Sequence, residues 1–213
     1  MGRESADREI VTVVSGLPRS GTSMMMMMLE AGGLPVLTDN IRTADEDNPK
    51  GYYEFERVKQ VEHDQAWLQQ AQGKAVKMVS ALLKHLPQSY TYKVIFMRRV
   101  MEEVLASQRQ MLVRREKPTD TVSDERMADL SRQHLKKVEA WLDEQPNMEV
   151  LYTSYNEVLK NPVEQAKKVN QFLGNTLDVE SMVGAVDRSL YHQRQKRHEP
   201  PKGRGQRVEW RRC

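Results

Sequence analysis

Glu9-Ile10-Val11-Thr12-Val13-Val14-Ser15 runs straight into Gly16-Leu17-Pro18-Arg19-Ser20-Gly21-Thr22-Ser23, and from there into Met24-Met25-Met26-Met27-Met28-Leu29-Glu30-Ala31. The first seven residues carry Ile10, Val11, Val13 and Val14, a β-branched run suited to a strand buried in a parallel sheet. The next eight space two glycines as G-x-x-x-x-G. Thr22 to Ala31 has helix length and is stopped by Gly32-Gly33. Strand, glycine loop and helix in that order open a phosphate-binding α/β fold. Backbone N–H groups approach a phosphate closely at such glycines, and the helix start adds its positive end. Arg19 places a cation inside the loop, suited to charge-assisted bonds with phosphate or sulfate oxygens. Ser20, Thr22 and Ser23 add hydroxyls. A turn that only joined strand to helix would need none of these donors. The lysine that follows the second glycine in ATP-binding loops is absent, and Thr22 stands there.

The same alternation continues downstream. Leu34 to Leu37 reads as a second short strand, and Thr38 to Tyr53 as a polar loop turning at Asn48-Pro49-Lys50-Gly51. A loop that long inside a compact domain is often functional. Glu54 to Gln70 reads as a helix through Val58, Val61, Trp67 and Leu68. Ala75 to Val79, Lys93 to Met97 and Glu149 to Tyr152 read as buried strands. Met101 to Arg114, Leu130 to Leu142 and Val163 to Leu173 read as helices. This pattern predicts an α/β fold: three layers, α/β/α, around a mainly parallel sheet with the phosphate loop near its N-terminus.

Val94-Ile95-Phe96-Met97-Arg98-Arg99 is a strand ending in two arginines, and the following helix carries Ser107. With these residues the resemblance is plain. Pro18-Arg19-Ser20-Gly21-Thr22-Ser23 resembles the 5′-phosphosulfate loop of the sulfotransferase family, P-[KR]-[ST]-G-[TS]. Arg99 and Ser107 match the Arg and Ser, eight residues apart, with which that family holds the donor's 3′-phosphate. Tyr155-Asn156-Glu157-Val158-Leu159, Asn161-Pro162 and Phe172-Leu173-Gly174 are similar to its Y-E-D-L…P…FLG segment, expected to serve packing and capping. The resemblance spans roughly Val11 to Gly174. It implies that the co-substrate is 3′-phosphoadenosine 5′-phosphosulfate, held by Pro18, Arg19, Ser20, Gly21, Thr22, Ser23, Arg99 and Ser107, with no metal. Arg19 would neutralise the 5′-phosphate and bridging oxygen. The acceptor would be a small-molecule or carbohydrate-like hydroxyl or amine.

Sulfuryl transfer also needs a base for the acceptor proton. In the cytosolic branch that base is a His two residues after a Lys; here the aligned stretch is Lys77-Met78-Val79, with Val79 at the His position. Other branches use a carboxylate about twenty residues past the loop. Asp39 fits that distance and follows a strand end, where a carboxylate faces the cleft. Glu54 is the second candidate. Arg19, Asp39 and Glu54 are therefore the expected catalytic residues, Asp39 as base and Glu54 positioning the acceptor. His63 and His85 read as structural. Met24 to Met28 circle a helix axis, which suits a plastic buried helix rather than a metal site, and no His/Cys cluster suggests zinc.

A chain of 213 residues with 38% hydrophobic residues is long enough for one large core. Its single cysteine, Cys213, allows no internal disulfide. No apolar run reaches the ~20 residues that span a bilayer. A cytoplasmic protein with no membrane partner is expected. The net charge of +3 hides a basic segment, Arg188 to Cys213, with net +7 against −4 for the remainder. The division expected is a sulfotransferase-like domain at 1–187 and a basic tail at 188–213. Lys202, Gly203, Arg204, Gly205 and Trp210 resemble the family's donor clamp only faintly. Two rivals remain: a small P-loop kinase, which lacks its lysine, and a protein that binds nucleotide or nucleic acid without catalysis. Nucleic-acid binding through the tail would leave the loop, Arg99 and Ser107 idle, so nucleic acid is a disfavoured partner.

Overall fold

The computed structural model describes residues 10–39, 53–116, 118 and 122–186. Its sheet consists of β1 (Ile10–Gly16), β2 (Val36–Leu37), β3 (Ala75–Val79), β4 (Thr91–Arg98) and β5 (Met148–Ser154). The order is β2-β3-β1-β4-β5 and every pairing is parallel. β1 is the central strand, with Thr12 opposite Ala75 on one side and Lys93 on the other. Because β3 and β4 flank β1, the connection between them crosses the sheet. Ligands of open α/β sheets bind beyond the strand ends at such a reversal.

Side chains alternate across the strands and feed two cores. On one face, Val14, Ala75, Ile95 and Met97 pack against α1 (Thr22–Ala31), α5 (Tyr155–Lys160), α6 (Pro162–Phe172) and α7 (Val179–Gly184). On the other, Val13, Val76, Met78 and Phe96 pack against two 3-10 turns (Glu56–Gln60 and Ser80–His85), α2 (Leu68–Ala71) and α4 (Asp124–Asp143). α3 (Met101–Arg114) follows β4. The result is three layers, α/β/α. Met24, Met25, Met26 and Met28 of α1 are all buried. Unbranched thioethers form helix readily and fill irregular gaps, so five in succession still make a well-packed element.

Three expectations need correction. Glu54 to Gln70 is not one helix but the turn Glu56–Gln60 followed by α2. Asp64 breaks it: its carboxylate accepts the Ala66 N–H at 3.1 Å and pairs with Arg57 at 2.7 Å, while the Trp67 indole donates to its carbonyl at 2.9 Å. Side-chain bonds to the local backbone thus replace the helix ladder. α4 starts at Asp124 rather than Leu130 because the Ser123 hydroxyl caps it, accepting from the Arg126 N–H. β2 covers only Val36–Leu37. The Asn48–Gly51 turn and the basic tail lie outside the described residues.

Candidate active site

The loop between β1 and α1 is shaped by what surrounds it. Gly16 has φ +148°, and a Cβ there would stand 2.5 Å from the Met97 carbonyl oxygen. Gly21 has φ +100°, and the Tyr155 ring occupies the place of its missing side chain. Arg19 itself takes a left-handed φ of 73°, unusual for a residue with a Cβ. Gly21 stands at the N-cap of α1, which has no side-chain cap and no acidic residue in its first turn. Its positive end is therefore directed at whatever lies in the loop.

The loop and the arginine at the end of β4 are tied together. Arg19 Nε donates to Ser107 Oγ at 2.9 Å, and Arg99 Nη1 donates to the Arg19 carbonyl at 2.6 Å. Gln108 Nε2 donates to the Pro18 carbonyl at 3.3 Å. Arg99 is deeply buried; it pairs with Glu103 at 3.0 Å and lies over the Tyr155 ring at 4.7 Å. Glu103 also accepts from Asn156 Nδ2 at 3.0 Å, which fixes it from α5. Carboxylate and ring together make burial of this guanidinium tolerable. The turn between Arg99 and Ser107 thus brings both beside the loop, although Val100-Met101 replaces the Asp-Pro of the resembled pattern.

A cavity of about 420 Å³ opens over the strand ends. Pro18, Arg19, Gly21, Thr22, Ser23, Glu54, Arg99 and Ser107 all line it. Ser20 and Asp39 do not. Ser20 faces a neighbouring cavity of about 410 Å³ with Arg98, Arg132 and Lys136; its hydroxyl is buried and has no hydrogen-bond partner. The Asp39 carboxylate accepts the Glu56 N–H at 2.6 Å, and its own N–H donates to the Glu54 carbonyl at 3.3 Å. Thr38 Oγ1 donates to the same carbonyl at 3.0 Å. Asp39 therefore grips the backbone on either side of Phe55 and leaves Glu54 facing the cavity. Tyr53 anchors the same segment through its hydroxyl to the Glu30 carboxylate. Burial, and then that carboxylate, push its phenol above the ordinary range.

Lys77 and Tyr155 also line the cavity, though neither belongs to the expected site. Lys77 is in the middle of β3; its Nζ donates to Ser23 Oγ at 3.3 Å and stands 3.8 Å from the Glu54 carboxylate. A lysine inside the apolar run Ala75-Val76-Lys77-Met78-Val79 is the available signal, because buried parallel strands rarely carry one. Tyr155, expected to serve packing, borders Gly21, Arg99 and the cavity at once. Its place at the head of the Y-E-D-L-like segment marks it for packing but not for the cavity. Among the described residues no group of three or more His, Cys, Asp or Glu is placed to hold a metal ion, and no helix is long and apolar enough to cross a membrane.

The sequence profile of the sulfotransferase domain matches residues 10–199. The chain belongs to the sulfotransferase domain family. Every cavity residue of this sulfotransferase-family chain falls inside the matched stretch. Among solved structures, it is similar to the sulfotransferase domain of the Synechococcus PCC 7002 olefin synthase. That match has a TM-score of 0.52 at 14% identity and covers 85% of this chain and 79% of the other. At that identity the likeness speaks for the fold of the sulfotransferase domain. No curated protein matches the chain.

Proposed function

We propose that the protein transfers a sulfuryl group from 3′-phosphoadenosine 5′-phosphosulfate to a hydroxyl or amine. The observation that carries this reading is the convergence of loop, Arg99, Ser107, Glu54 and Lys77 on one cavity. The glycine loop suits the phosphosulfate end, since the places of two side chains there are filled by Met97 and Tyr155 and only backbone can approach. Arg19, Thr22 and Ser23 supply donors to its oxygens, and Arg99 with Ser107 suits the 3′-phosphate. The acceptor's hydroxyl oxygen or amine nitrogen attacks sulfur, and the S–O bond to the 5′-phosphate breaks. Adenosine 3′,5′-bisphosphate departs with the electron pair. Arg19 and Lys77 offset the charge that develops on that leaving oxygen.

For the base we favour Glu54 over Asp39. Glu54 borders the cavity beside Lys77, whereas the Asp39 carboxylate is engaged by a backbone N–H. Glu54 would take the acceptor proton and Asp39 would position it. The test is transfer of radiolabelled sulfate from the donor to an acceptor panel, with a thermal-shift comparison of adenosine 3′,5′-bisphosphate against ATP with magnesium. Stabilisation by ATP alone would favour a kinase instead. The compartment is proposed to be cytoplasmic, and residues 1–187 to form the catalytic domain.

A further inference from the structure

The cavity wall is of two chemical kinds. The loop contributes donors and cations, and the segments that follow Glu54 and Lys77 in the chain contribute the apolar side chains Phe55, Val58, Val79 and Leu82. These side chains come from three separate places: the turn after Glu54, the end of β3 and the 3-10 turn behind it. Val79 is 42% exposed although it closes a strand of a buried sheet. An exposed apolar side chain in the wall of a cavity is a surface suited to apolar contact. Lys59, which also lines the cavity, is paired with Glu56 at 2.6 Å.

We infer that the acceptor is an alcohol or phenol carried on an apolar alkyl or aryl body, and not a sugar. The inference rests on the reading of the cavity as a sulfuryl-transfer site. The reacting hydroxyl lies among Glu54, Lys77 and Ser23, and the body covers the apolar wall. A sugar placed there would press several hydroxyls against the side chains of Phe55, Val79 and Leu82, which offer no hydrogen-bond partner. Each hydroxyl stripped of water without a partner weakens binding, and a few of them exclude the ligand.

The experiment is equilibrium dialysis of 4-butylphenol and of glucose against the full-length protein saturated with adenosine 3′,5′-bisphosphate. Saturable binding of 4-butylphenol, at least about 100-fold tighter than glucose, is the expected result. Val79→Asp and Leu82→Asn should each weaken it about tenfold or more, by removing apolar contact worth roughly one such factor. Val163→Asp, on an exposed site of α6 away from the cavity, should not. Glucose binding as tightly as the phenol overturns the inference, and so does phenol binding unchanged in both wall variants. It also falls if loaded protein binds no phenol. If adenosine 3′,5′-bisphosphate itself fails to bind, the donor reading is what fails, and the phenol and glucose comparison is then read on protein without nucleotide.

Discussion

Arg19 is the residue on which the proposed chemistry leans most. Its left-handed backbone, its bond to Ser107 and the Arg99 bond to its carbonyl hold its guanidinium at the cavity. Losing a donor aimed at developing charge typically costs ~3–4 kcal/mol of transition-state stabilisation. Arg19→Ala should therefore slow single-turnover transfer by about two to three powers of ten, with an unchanged far-ultraviolet circular dichroism spectrum. A wild-type rate would remove Arg19 from the mechanism. The two carboxylates separate in a second experiment. Glu54→Gln should abolish most of the chemical step while nucleotide affinity stays level. Asp39→Asn keeps an oxygen for the Glu56 N–H and should lose little, whereas Asp39→Ala should lose more. The opposite ranking would return the base to Asp39. At this scale the sequence is informative wherever a motif concentrates donors, as in Pro18 to Ser23. It marks Tyr155 only for packing, because its place at the cavity comes from contact with Gly21, a residue far away in the chain. The distance from Arg19 to Asp39 in sequence is a poor guide to which carboxylate faces the cavity, because backbone capping decides that.

Among the elements, the β1–loop–α1 unit follows directly from local pattern, and its tolerance to change is narrow. Gly21→Ala would drive a methyl into the Tyr155 ring at a φ that side chains avoid. A cost of roughly 1–3 kcal/mol is expected from such overpacking, seen as a lower midpoint in urea together with weaker nucleotide binding. The segment from Glu54 to Gln70 shows why periodicity misleads. Val58, Val61 and Leu68 sit at helical spacing and are indeed buried, but Asp64 supplies a competing turn. The Ser80–His134 bond, 2.9 Å long, joins the 3-10 turn after β3 to α4. Burial holds the His134 imidazole below the ordinary histidine range, and the charge on Lys137 adds to this. A depressed folded value means that stability is fully present above the unfolded pKa, about 6.5, and is lost as pH falls below it. Melting temperature should thus decline from pH 7 toward pH 5, and His134→Asn should flatten part of that slope. An identical slope in the variant would exclude His134 as its source.

For the molecule as a whole, the binding preference is the sharpest test. Arg99 and Ser107 border the cavity beside the loop, so adenosine 3′,5′-bisphosphate should raise the melting temperature more than adenosine 5′-phosphate at equal concentration. Arg99→Lys should erase most of that difference, since an ammonium cannot replace a guanidinium stacked on Tyr155 and paired with Glu103. Equal shifts in the unmodified protein would contradict the assignment. The strand order carries a further consequence, for synthesis on the ribosome. Thr12 has to wait for Ala75 and Lys93 before β1 acquires either neighbour. At ~5–20 residues per second the interval lasts several seconds. Throughout it, the β-branched strand and the methionine helix behind it have no sheet to cover them. A nascent chain of this kind is a natural client for ribosome-associated chaperones, and stalled chains ending before β4 should be cleaved by protease at sites that the finished protein shields.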